Sequence, residues 1–281
     1  MLISLGVPLS IMAQKKAYCI FTARGKKTDY GALFKKAQKA QVILFGELHN
    51  NPIAHWLQYE LIKDLVENNI PLIIGGEMFE ADIQNNINAY FANEWDTQKF
   101  ESSTELWPNY ATDYKPILEF ARKYKINLVA TNIPRKYARL VARSGLAALD
   151  TLSEREKRWM APLPIQVDFS LPGYQAMKAM VHGGGTVATE NFIAAQAMKD
   201  ATMAYFIYQN LPASGVFVHL NGAYHSNNYE GIYWYLKKYS SKLKILTIST
   251  VEQVDLKELD KKSINLADFV IAVPITMTKT Y

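Results

Sequence analysis

The strongest constraint on this chain is a rhythm. Short apolar runs alternate with amphipathic stretches, and four of the runs stop at a polar residue of the ligand or catalytic type. In QVILFGELHNNPIAHWLQYEL, residues 41–61, the apolar run halts at Gly46. Glu47, His49 and, inside a proline-started helix, His55 follow. The run in PLIIGGEMFE halts at Glu77, that in INLVATNIPR at Asn132 and Arg135, and that in GVFVHLNGAYH at His225. Such alternation predicts an α/β fold with a mainly parallel central sheet flanked by helices. In open sheets of that kind, sites form beyond the carboxyl ends of the strands. Four strands delivering polar groups there predict one convergent pocket.

Strands are expected at 42–46, 71–76, 126–131, 215–220, 243–249 and 268–273, and helices at 52–68, 80–92, 112–124, 134–144, 188–209 and 228–239. Residues 17–31 read as a hairpin turning at Arg24-Gly25, followed by a helix from Asp29 to Lys39. Helical spacing assigns an apolar stripe to Trp56, Tyr59, Leu61, Ile62 and Leu65, and another to Phe192, Ala195, Met198, Met203, Phe206 and Ile207. Residues 146–187 break the rhythm with three prolines and FSLPGYQAMKAMVHGGGT. They read as a helical insertion or lid, hinged at Gly183-Gly184-Gly185.

The 281 residues, 49% hydrophobic and 20% charged, suit one globular domain spanning 14–281. The net charge of +5 is spread over scattered lysines with no long basic run, so nucleic acid is not an expected partner. The single cysteine, Cys19, excludes an intrachain disulfide. Residues 1–13 are apolar and too short to span a bilayer. They predict a signal peptide cleaved after Ala13, although a basic start is missing. Export is therefore expected, to the periplasm or the outer membrane. Lys16, Ala17 and Tyr18 before Cys19 do not form a lipid-attachment signal.

Glu47 and His49 lie two apart at a strand end, so their side chains share a side. Gly46-Glu-Leu-His49 and Gly222-Ala-Tyr-His225 repeat one GxxH spacing. Glu47, His49, His55, Glu77 and His225 suit a divalent metal with an open position. Alternatively, Glu47, His49, Glu77 and His225 suit acid–base catalysis. The helical HExxH spacing of zinc peptidases is absent. Arg135 and Arg139, one turn apart, open a helix where an anion would be favoured. Tyr174, Met177, Met180 and His182 cluster in the insertion, either as the apolar face of a short helix or as a cofactor surface.

GELHNNPIAHWLQ, GGEMFEADIQ, WPNYATDYKPILEFARKYKINLVATNIPR, AAQAMKDATMA and HLNGAYH, in this order over roughly 30–240, resemble the ChaN-like haem-binding uptake family of the Tiki/erythromycin-esterase superfamily. The resemblance implies a parallel α/β fold and an exported protein of iron acquisition. It also implies two haems stacked in a homodimer, tyrosine ligation of iron, and an outer-membrane haem receptor as partner. Glu47, His49, His55, Glu77 and His225 would be the pocket residues of the superfamily. Tyr174 and His182 are the expected iron ligands, with Arg135 and Arg139 as partners for the haem propionates. The superfamily also contains hydrolases, so a metal-dependent peptidase or esterase using the Glu/His pocket is the alternative.

Overall fold

A computed structural model describes residues 15–180 and 186–281. The expected signal peptide, His182 and the triple glycine lie outside the described residues. The strands are β1 (Cys19–Thr22), β2 (Lys27–Thr28), β3 (Val42–Glu47), β4 (Leu72–Glu80), β5 (Leu128–Asn132), β6 (Val216–Gly222), β7 (Ile245–Gln253) and β8 (Phe269–Pro274). The helices are α1 (Tyr30–Ala37), α2 (Pro52–Glu67), α3 (Gln84–Phe91), α4 (Thr97–Ser103), α5 (Lys115–Lys123), α6 (Arg135–Ser144), α7 (Glu154–Lys157), α8 (Pro172–Met180), α9 (Thr186–Gln209) and α10 (Ile232–Tyr239).

The strands form one sheet in the order β2-β1-β8-β7-β3-β6-β4-β5. The block from β8 to β5 is parallel, and the β1–β2 hairpin closes one edge antiparallel. Every residue of β3 and β6 is buried, as expected for central strands covered on both faces. The period of two then sorts β3. Ile43 and Phe45 pack with Leu57, Leu61, Ile62 and Leu65 of α2, while Val42 and Leu44 pack with Phe217, Met198 and Tyr137 on the other face. Pro52 starts α2, and the Asn51 side chain accepts the backbone N–H groups of Ile53 and Ala54.

The structure corrects several details. Trp56 and Phe192, placed in apolar stripes by spacing, are both 47% exposed. The buried face of α2 keeps Leu61, Ile62 and Leu65 of the expected stripe and takes Leu57 in place of Trp56. β4 continues past Gly76 to Glu80 with a register shift, and Glu77 lies within that irregularity. The segment before α5 winds as a π-turn, Tyr110–Tyr114, and α4 forms behind the cap of Asp96 although periodicity did not flag it. Within the insertion, Leu146–Thr151 is a 3-10 turn. α8 packs Tyr174 and Met177 on Ile193 and Ala197 of α9.

Candidate functional site

β3, β6 and β4 are neighbours, so the ends of these strands stand side by side. Glu47 closes β3 and is the register partner of Gly222, the last residue of β6. Glu47 is buried and fully engaged. The Tyr114 hydroxyl donates to Oε1 at 2.6 Å, His49 Nδ1 lies 3.0 Å from the same oxygen, and the Gln58 amide donates to Oε2 at 2.7 Å. Burial pushes this carboxyl up. The His49 hydrogen bond, the electrostatic attraction of the neighbouring His55 and His49 rings, and the Tyr114 hydroxyl outweigh burial and hold it below its usual range.

His49 is therefore gripped through Nδ1. Its Nε2 has no hydrogen-bond partner among the described residues, its side chain is 37% exposed, and Trp107 meets it edge-on at 5.0 Å. Burial lowers its pKa, but the Glu47 hydrogen bond and the charges of Glu77 and Glu47 raise it above the usual value.

On the neighbouring strand, Glu77 takes the Gly222 N–H on Oε2 at 2.7 Å and faces His225 Nε2 with Oε1 at 3.1 Å. His225 Nδ1 lies 2.5 Å from Asp200 Oδ1, and the Tyr174 hydroxyl donates to Asp200 Oδ2 at 2.8 Å. Burial would deprotonate His225, but Glu77 and Asp200 on either side push it up to about 10. The two carboxylates thus favour its imidazolium form, with one ring nitrogen facing each. Burial raises Glu77, yet the charge and hydrogen bond of His225, with His49 and the Gly222 N–H, hold it well below the usual carboxylate range. Asp200 moves the other way: burial outweighs His225 and Tyr174 and raises it.

The two GxxH elements interlock through their glycines. A Cβ on Gly46 would stand 2.8 Å from Ala223 Cα, in the second element. A Cβ on Gly222 would stand 2.7 Å from both Cε1 and Nε2 of His49, in the first, and 3.3 Å from Glu77 Oε2. Each glycine thus admits the other element, and a close backbone approach is the reason for glycine at both positions.

Two cavities open here and share Glu77, Gln196 and Lys199. A chamber of about 860 Å³ is bordered by His49, His225, Met177, Tyr224 and Tyr281. A groove of about 430 Å³ is walled by Trp107, Pro108, Ile133, Ala138, Ala195 and Phe192, with Arg135, Arg139 and Lys199 in its lining.

Of the residues singled out from sequence, Glu47, His49, Glu77 and His225 do converge, and His55 sits behind them. Its Nδ1 is 3.5 Å from Glu47 Oε2, and its Nε2 is 3.1 Å from the His49 carbonyl. The expected metal centre is not shown: among the described residues no group of three or more His, Cys, Asp or Glu is arranged to hold an ion. The physical reason is that the donors are spent on one another. Both nitrogens of His225 face carboxylates, and both oxygens of Glu77 are taken. Arg135 meets an anion at its helix start as expected, but the anion is internal. Its Nε lies 2.6 Å from Glu80 Oε1, and a terminal guanidinium nitrogen lies 3.2 Å from Glu105. Arg139 and Lys199 have no ion-pair or hydrogen-bond partner among the described residues, which leaves them available to a carboxylate in the groove. Tyr174, the expected iron ligand, points inward: it is 3% exposed and committed to Asp200. His182 lies outside the described residues.

Sequence reasoning missed Asp200, Gln58, Tyr114, Gln196 and Lys199. Asp200 had a signal, because it is an acid on the same helical stripe as the buried Ala197, Met203, Ala204 and Ile207. Tyr114 had none, since a π-turn sets its direction.

The fold and the matches agree. ChaN of Campylobacter jejuni, solved with cofacial haem, superposes with a TM-score of 0.68 at 18% identity, covering 90% of this chain and 96% of that one. A succinoglycan biosynthesis protein superposes with a TM-score of 0.53 at 10% identity, covering 86% of this chain and 90% of that one. Protein RETICULATA-RELATED 5, chloroplastic, of Arabidopsis thaliana is 25% identical over 216 residues; this chain covers 29% of its length, and the match spans 70% of this chain. The family described as haem-binding uptake, Tiki superfamily, ChaN matches residues 33–236. The chain belongs to the ChaN haem-binding uptake family of the Tiki superfamily.

Proposed function

We propose that this protein is exported, binds haem between two copies of the chain, and serves haem-iron acquisition together with an outer-membrane haem receptor. Family membership supports haem as the ligand. The observation that carries the reading is the groove. Haem is a flat apolar ring bearing two carboxylates. Phe192, Ala195, Ala138, Ile133 and Pro108 offer an apolar wall, and the unpaired Arg139 and Lys199 offer cations within charge-assisted hydrogen-bonding reach of carboxylates in the groove. The chemistry of these residues fits the group. Bound haem supplies a ferric centre, for which a phenolate is a suitable hard donor. Tyr224 and Tyr281 border the chamber and are 41% and 67% exposed. Tyr224 donates its hydroxyl to the Gly173 carbonyl, whereas the Tyr281 phenol has no partner among the described residues. A groove open on one side leaves one haem face in water, and a second copy would remove that exposure.

Titration with haemin under visible absorption and size-exclusion chromatography tests this. Saturable Soret absorption with a shift from monomer to dimer is expected. Absence of saturable uptake by the wild-type chain overturns the reading, and uptake by a persistent monomer overturns the shared site. Tyr281→Phe and Tyr224→Phe, read in the ferric charge-transfer region, assign the ligand. N-terminal sequencing from the native host tests export, with a start at Gln14 expected.

One observation favours a hydrolase as the second reading: Glu47 holds His49 Nδ1 and leaves Nε2 toward the chamber, the orientation of a general base. Ester or amide turnover that is lost in His49→Ala, without haemin uptake by the wild type, would select it.

A further inference from the structure

A third cavity, of about 550 Å³, lies at the opposite end of the sheet and shares no residue with the chamber or the groove. Four segments far apart in sequence build it, and three of them supply its cations. The hairpin turn supplies Arg24, the end of α1 and its exit supply Lys36 and Lys39, and the entry to β7 supplies Lys244. The strand order β1-β8-β7-β3 brings them together, since β1 and β7 flank β8. Ala40, Leu246 and Phe269 form an apolar floor.

The lining carries four cations against one acid, Asp268, so its net charge is positive. None of the side chains of Arg24, Lys36, Lys39 and Lys244 has an ion-pair or hydrogen-bond partner among the described residues. Lys63, Lys115, Lys157, Lys257 and Lys279 elsewhere each face a carboxylate. Asp268 is the acid in the lining. Its Oδ2 accepts the backbone N–H and hydroxyl of Thr247, and its Oδ1 accepts the Tyr229 hydroxyl, so it is spent on the framework. Four like charges around one hollow repel one another, and a multiply charged anion seated among them relieves that repulsion. Lys36 also sits in the last turn of α1, where the helix dipole favours a cation, but this does not account for Arg24, Lys39 or Lys244.

We propose that this cavity binds a phosphate group carried on a partly apolar molecule. The cations would take the phosphate oxygens, and Leu246 and Phe269 the apolar portion. The phosphate has two sources with the same chemistry: a soluble phosphoryl compound, or the headgroup of an anionic lipid.

The test compares the full chain with two triple variants of equal charge. One carries Lys36→Ala, Lys39→Ala and Lys244→Ala. The other carries Lys99→Ala, Lys123→Ala and Lys178→Ala, three exposed lysines outside the cavity lining. Inorganic pyrophosphate is titrated by calorimetry, and sedimentation is measured with vesicles of phosphatidylglycerol in phosphatidylcholine. The expected result is binding of at least one probe, weakened about tenfold or more in the cavity variant, changed little in the remote variant, and falling as salt rises. Pyrophosphate binding identifies a soluble ligand, and vesicle binding without it identifies a lipid headgroup. No binding of either probe overturns the proposal. Equal loss in both variants also overturns it, since net charge alone would then be responsible. Circular dichroism of both variants checks that the fold is kept. Because these residues lie outside the haem groove, haemin uptake should be unchanged in the cavity variant.

Discussion

The chamber and the groove share Glu77, Gln196 and Lys199, yet their polar groups are in opposite states. At the chamber Glu77 and Asp200 are buried against His225, and Glu47 is buried against Tyr114, Gln58 and His49. In the groove Arg139 and Lys199 stand beside an apolar wall without partners among the described residues. The saturated set holds the strand ends in register, because breaking it strands a buried charge. The open set contributes little to the fold and can be given to a ligand. Stability and binding should therefore separate between the two cavities.

The largest expected effect is on stability. His225→Ala leaves Glu77 and Asp200 buried without their shared cation, and should cost about 3–5 kcal/mol, read as a shift in the urea midpoint. A loss as small as that of an exposed residue would break the comparison.

Gly222→Ala comes next. Its Cβ would meet His49 and Glu77, so a destabilisation of about 1–3 kcal/mol is expected, with displacement of the His49 ring seen by NMR. An unchanged ring would refute the interlock of the two GxxH elements.

The pH dependence of stability sharpens the picture. Against burial, Glu77 and Asp200 push His225 up to about 10 from an ordinary 6.5, so its contribution should be complete below 6.5 and lost as pH rises through 10. Glu47 and Glu77 are depressed from 4.5, so theirs is present above 4.5 and is lost as pH falls through the lowered values. Asp200, raised from 3.8, opposes them in part, since its ionised form is disfavoured in the fold. Denaturation midpoints should therefore decline on the alkaline side, and His225→Gln should flatten that decline.

Arg139→Ala should have the smallest effect on the fold, within about 0.5 kcal/mol, while weakening haemin about three- to tenfold. A fall in stability without a change in haemin affinity would reverse the roles assigned to groove and chamber.

Much of this was legible without coordinates. The strands at 42–46, 215–220 and 268–273 were found within a residue or two at each end because short continuous apolar runs bounded by turn residues mark strands buried on both faces. Glu47, His49, Glu77 and His225 were recognised because a polar group halting an apolar run is conspicuous. Trp56 and Phe192 misled, because spacing marks a stripe but not how wide it is or where the neighbouring helix ends. Tyr174 misled for a related reason: the cluster in the insertion has a face, and the packing of α8 on α9 turned that face inward.

Local sequence by itself determined the alternation of elements, the parallel sheet and the identity of the strand-end groups, because propensity and periodicity act within a few residues. Only the tertiary structure decided which groups neutralise which. Asp200 meets His225 from 25 positions away, Tyr114 meets Glu47 from 67, and Glu77 reaches the Gly222 N–H across 145. Those pairings make the strand-end groups a largely self-compensated network. Coulombic and hydrogen-bond partners are chosen by distance in space, and distance in space is set by strand order and not by position in the chain.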